Sequence, residues 1–232
     1  MAGGAAIQKF ARRRRLRTSE MAGSAQHILE ASGRGDTGEV ERFIREGEDV
    51  NKKVENGFTP LHRAAGKGHI DTVKLLLDSG ANIEEKNDIG NTPIHQASRN
   101  GHTATVELLI DRKANIEERN DKGNTAIHLA ATNGHTDTVE ILLDRGANIE
   151  EKNNKENTPI HRAASWGYTD TVKLLLDRGA NIEEKDNDGD TPIHLAASWG
   201  YTDTVKLLLE NGGDPYITNN AGKTARDMDD TG

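Results

Sequence analysis

From Thr59 onward, apolar and polar positions recur in blocks with a period of 33 residues. TPLH at 59–62, TPIH at 92–95, TAIH at 125–128, TPIH at 158–161 and TPIH at 191–194 all keep one phase. A fixed period of this length marks stacked structural units, none of which can bury its apolar face alone. Within a unit the threonine hydroxyl can cap a helix, and Pro60, Pro93, Pro159 and Pro192 suit the first helical position, where no amide hydrogen is needed. The pattern predicts a first helix of about two turns through small pairs such as Ala196 and Ala197, ending at Gly68, Gly101, Gly134, Gly167 or Gly200. Small side chains there let neighbouring helices approach closely. A second helix is predicted from near Asp137 to Gly146 in its unit, with Val139, Leu142 and Leu143 on one apolar stripe. The stretch 147–155 is polar and holds Asn153 and Asn154, which predicts an extended connection into a β-turn.

Both ends of the array carry degenerate copies. Moved by one period, Leu29, Ala31, Gly35, Val40, Phe43 and Gly47 align with His62, Ala64, Gly68, Val73, Leu76 and Gly80. Arg34, Glu41, Arg42, Arg45 and Glu46 open one face of this copy to water, as a capping repeat requires. At the other end Gly222 to Ala225 keep the phase of Gly189 to Pro192, but Arg226, Asp229 and Asp230 replace Ile193, Ala196 and Ala197. The expected organisation is a basic extension over 1–24, a capping repeat over 25–55, five full repeats over about 56–220 and a short cap over 221–232.

Composition supports stacked units over one large core, since 33% of residues are apolar and 3% aromatic. The absence of cysteine removes disulfide and thiol chemistry and fits a reducing compartment, the cytoplasm or nucleus. No stretch approaches the roughly 20 apolar residues of a membrane span, and the first residues lack the apolar core of a secretory signal. The net charge of −8 conceals a split: residues 1–17 supply +6, so the rest carries −14. An acidic body disfavours nucleic acid, except through the basic tail. The run Arg12 to Arg17 reads as a solvated or vector-derived tail, a nuclear-import signal, or a mitochondrial or lipid-contacting segment, and 7–16 could form a helix.

Catalytic and metal readings find little support. His62, His95, His128, His161 and His194 form a ladder with one histidine per unit. Adjacent helices pack about 8–10 Å apart, whereas the ligands of one zinc ion each lie near 2 Å from it. Neither a nucleophile setting nor a phosphate-binding glycine loop is recognisable, so no catalytic, cofactor or metal residue is assigned. The pairs Glu84–Glu85, Glu117–Glu118, Glu150–Glu151 and Glu183–Glu184 read as a solvated acidic strip able to steer a partner with a basic surface.

The pattern over 57–219, plain in GDTPIHLAASWG at 189–200, resembles the ankyrin-repeat family. The resemblance implies an all-α repeat protein, an ankyrin-repeat solenoid of stacked helix-turn-helix units with β-turn loops projecting toward a concave side. It also implies that the ladder histidine bonds the turn at the helix start, and it does not imply catalysis. Lys113 departs from the pattern where other repeats end the second helix on glycine, Glu156 departs at the loop glycine, and Ala126 at the helix-start proline.

Function is expected at positions that differ between copies. In the turns these are Phe58, Asp88, Ile89, Asn91, Lys122, Asn124, Lys155 and Asp188; at the end of the first helix they are Lys67, Arg99, Asn133, Trp166 and Trp199. Corresponding positions in the family often line the partner-binding surface. The leading expectation is a monomeric, non-enzymatic protein-interaction module; the alternative is a structural spacer or duplicated, engineered scaffold without a dedicated partner. The segments 158–176 and 191–209 differ only at Arg162 and Leu195, which speaks for duplication.

Overall fold

Capping and packing act together in every unit. The computed structural model describes residues 27–229, so the basic run, its proposed helix and residues 230–232 lie outside the described residues. Helix α1 covers 27–34 and α2 Thr37–Arg45. A single 3₁₀ turn at Glu55–Gly57 leads into α3 (Pro60–Lys67) and α4 (Ile70–Asp78). The following pairs are α5 (Pro93–Arg99) with α6 (Thr103–Asp111), α7 (Ala126–Thr132) with α8 (Thr136–Asp144), and α9 (Pro159–Ala164) with α10 (Thr169–Asp177). Then come α11 (Pro192–Ser198), α12 (Thr202–Glu210) and the short α13 (Ala225–Asp229). Among the described residues there is no strand.

The odd-numbered helices from α3 to α13 pack on one another in one layer, and the even-numbered helices from α2 to α12 form a second layer behind them. The core runs between the layers. Ile94, Ile127, Ile160 and Ile193 from the first layer meet Leu76, Leu109, Leu142, Leu175 and Leu208 from the second, all with 1% exposure or less. Leu143 is half-buried, so Val139 and Leu142 alone carry the fully buried stripe of α8.

The ladder histidines join the units. His128 Nδ1 accepts the Thr125 amide hydrogen at 3.2 Å, which leaves the ring proton on Nε2; Nε2 then donates to the Asn157 carbonyl in the next repeat at 3.0 Å. His62, His95, His161 and His194 repeat the arrangement toward Asn91, Asn124, Asp190 and Lys223. Each ring therefore bonds its own helix start, as the resemblance implies, and also ties one unit to the next. Burial pushes the imidazoles of His62, His95 and His128 down to about 4, so they are neutral at pH 7.

The acidic pairs require a correction. They are not a free, solvated strip. Glu84, Glu117, Glu150 and Glu183 accept the backbone amides of Asn115, Asn148, Asn181 and Asp214 at 2.7–2.8 Å. Their neighbours Glu85, Glu118, Glu151 and Glu184 pair with Lys53, Lys86, Arg119 and Lys152 at 2.7–2.8 Å. One carboxylate of each pair reaches forward and the other back, so the repeated charge is absorbed by contacts between units.

Lys113 stands at φ 73° and Glu156 at φ 59°, in the left-handed region that favours glycine. At Gly90 the requirement is doubled, because an added Cβ would fall 2.7 Å from the backbone nitrogen of Asp121 in the next turn.

Candidate protein-binding groove

Two kinds of segment meet along the first layer. The turns before the helices are held from within: Asn120 Oδ1 accepts the amides of Lys122 and Asn124 at 3.0 Å, and the Asp121 amide reaches back to the Ile89 carbonyl. Turn tips are thereby fixed to the preceding tips. Across from them stand the C-terminal ends of α5, α7 and α9. Between the two lies a groove of about 470 Å³, whose walls include Ile89, Arg99, Lys122, Leu129, Arg162 and Trp166.

Ile89 is 54% exposed and Trp166 52%, an unusual state for side chains of this size. Tyr168, which also lines the groove, is half-buried against the core. Three cations, Arg99, Lys122 and Arg162, face the groove with one carboxylate, Asp121. Arg99 and Lys122 are exposed. Arg162 is half-buried, and its Nε donates to Thr132 Oγ1 at 3.1 Å while that hydroxyl donates to the His128 carbonyl at 2.7 Å. Burial pushes the Arg162 guanidinium down, and among the described residues no neighbouring carboxylate opposes the shift.

The sequence candidates divide on the structure. Ile89, Asn91, Arg99, Lys122, Asn124, Asn133 and Trp166 come together in this groove. Two of them belong to the frame. Asn91 is buried, its amide bonded to Asn87 and its side-chain oxygen to Asn120 at 2.7 Å; Asn124 repeats this with Asn120 and Asn153. Asn133 donates to the Leu129 carbonyl at 2.8 Å and finishes α7.

The remaining candidates lie elsewhere. Phe58, one period before Asn91, is half-buried with its ring edge-on to His62 and the Arg63 guanidinium 4.7 Å over its face. Lys67, Asp88, Lys155 and Asp188 are exposed outside the groove, and Trp199 is the most exposed large apolar side chain at 69%. Sequence reasoning missed Leu129, Arg162 and Tyr168 as wall residues, whereas Thr132, beside Asn133 at the end of the first helix, is a variable position that does line the groove. For Arg162 a signal was present, because it is the one difference between 158–176 and 191–209.

Among the described residues no cluster of His, Asp or Glu could hold a metal ion, and no helix is long and apolar enough to cross a membrane. No curated protein sequence matches the chain significantly. The crystal structure of the human ASB11 ankyrin repeat domain superimposes with a TM-score of 0.80 at 31% identity, covering 87% of this chain and 90% of that one. A family model described as ankyrin repeats (3 copies) matches at 28–120, 77–153, 113–186 and 150–219. The capped helix pairs, the histidine ladder and a match spanning 28–219 lead to one assignment: the chain belongs to the ankyrin-repeat family.

Proposed function

We propose that this chain is a non-enzymatic protein-interaction module that receives a protein segment along the groove between the turn tips and the ends of α5, α7 and α9. Ankyrin repeats are in general protein-protein interaction modules. The observation that carries the reading here is the pair Ile89 and Trp166, two large apolar side chains left half-exposed at the groove while the frame beneath them is rigidly bonded. Aromatic anchors of this kind supply much of the energy at interfaces, and a preformed surface has little ordering cost on binding.

The spacer reading draws on the duplicated segments 158–176 and 191–209. Against it weighs the position of their single difference, Arg162, in the groove wall. The absence of cysteine fits the cytoplasm or nucleus as the proposed compartment, and we propose a monomer.

The test is affinity capture with the full chain and with the double variant Ile89→Ser, Trp166→Ala, followed by mass spectrometry. The expected result is loss of the main captured protein with an unchanged unfolding midpoint. Equal recovery by the double variant would reject this surface.

A further inference from the structure

The position after the ladder histidine faces the groove side of the first layer, and it is Arg63, Gln96, Leu129, Arg162 and Leu195 in successive repeats. Arg63 lies against Phe58, Gln96 is buried, and Leu129 and Leu195 are half-buried apolar residues. Arg162 has no such solution. At the register of Phe58, three periods later, the chain has Asn157, which points its amide to Asp186 at 2.9 Å instead of offering an aromatic face. The guanidinium of Arg162 is held only through Nε, by Thr132, and among the described residues it has no ion-pair partner.

Removing a cation from water without a counter-charge is unfavourable, and leucine serves in an otherwise identical 19-residue segment. A cation is therefore not required by the fold at this position, and Arg162 lines the groove. Arg99 and Lys122 line the same groove, so a chain of net charge −8 presents a locally positive surface here, opposed by Asp121 alone. Arginine forms a planar fork that matches a carboxylate with two parallel hydrogen bonds.

Resting on the reading of the groove as a protein-binding surface, we propose that its partner is an acidic peptide segment. One Asp or Glu carboxylate of that segment pairs with Arg162, and an adjacent apolar side chain packs on Trp166 and Ile89. Charge complementarity selects this occupant. The acidic strip pointed toward a basic partner, but those carboxylates are bonded within the frame, whereas the cations in the groove have no ion-pair partner among the described residues.

The test is selection of random dodecapeptides on phage against the immobilised full chain, with binding of the enriched peptides compared between the chain and three variants. Arg162→Leu copies the residue at 195, so it keeps the fold, and it leaves the basic tail unchanged as a source of non-specific attraction. The expected winners carry Asp or Glu next to an apolar residue and bind Arg162→Leu at least tenfold more weakly, a loss of about 1.4 kcal/mol. Arg162→Lys should recover part of the affinity, since the charge remains while the fork is lost.

Peptides that depend on Trp166, tested by Trp166→Ala, but bind Arg162→Leu equally would overturn the acidic partner and leave the groove reading standing. Peptides indifferent to both substitutions would overturn the groove itself. Retention of single-stranded RNA that is lost in Arg162→Leu, with no acidic peptide enriched, would overturn the choice of a protein ligand.

Discussion

Mild acid should destabilise this array through its buried histidines. His62, His95 and His128 are buried neutral, with their imidazoles pushed from 6.5 down to about 4. Their folded values lie below the unfolded one, so between pH 6.5 and 4 the unfolded chain binds more protons. The stabilisation is fully present above pH 6.5 and declines as the pH falls through that window. At pH 5 the linkage amounts to about 2 kcal/mol for each histidine and about 6 kcal/mol for the three. For a chain of this length that corresponds to a fall in Tm on the order of 10–20 °C.

His161 and His102 are shifted downward by burial as well and act in the same sense. Glu85, Glu118 and Glu184 are held below their usual range chiefly by hydrogen bonds from Lys53, Lys86 and Lys152, so their stabilisation is lost only at lower pH. Urea unfolding from pH 7 to 5 reads the effect directly. His128→Leu, which places at 128 the residue type found three periods earlier at Leu29, should flatten the pH slope by up to about 1.4 kcal/mol per pH unit. Stability independent of pH between 7 and 5, or an unchanged slope in His128→Leu, would refute the argument.

Other perturbations separate frame from surface. Lys113→Gly relieves a left-handed backbone at φ 73° and should raise stability by about 1 kcal/mol, a few degrees in Tm by scanning calorimetry; an equal or lower midpoint would count against the strain. Glu117→Ala removes the acceptor of the Asn148 amide and should cost about 1 kcal/mol in urea unfolding, whereas Asp137→Ala, at an exposed carboxylate, should leave the midpoint unchanged. At the groove, Ile89→Ser with Trp166→Ala should abolish capture of the main partner without moving the midpoint. Arg162→Leu should weaken enriched acidic peptides at least tenfold, with the fold intact.

The fold was legible because its determinants are local and repeated. Thr125 and His128 stand three residues apart, so capping of α7 follows from spacing alone, and the lysine-for-glycine exception at 113 names a backbone conformation that the structure contains. What spacing could not reveal was the partner of each group across repeats. Glu117 and Glu118 look equivalent in sequence, yet one bonds the Asn148 amide in the next repeat and the other Lys86 in the previous one. Asn91 and Asn124 differ from Phe58 at the same register and so looked like surface variation; they are the side-chain links between successive turns. Variation between copies marks a free surface only where the frame has no use for the side chain.

That condition gives Arg162 its weight. Lys53, Lys86, Arg119 and Lys152 are cations bonded to carboxylates between repeats, and Arg112, Arg145 and Arg178 pair with Asp78, Asp111 and Asp144 on the second layer. The array therefore has regular devices for neutralising a positive charge, repeated across several successive units. Arg162 stands outside all of them, partly desolvated, at a register where the following repeat uses leucine. A charge that the fold does not require, beside exposed Trp166, is placed to act on a group outside the described residues. A carboxylate from outside would give Arg162 the pairing that the cations bridging successive repeats obtain from within.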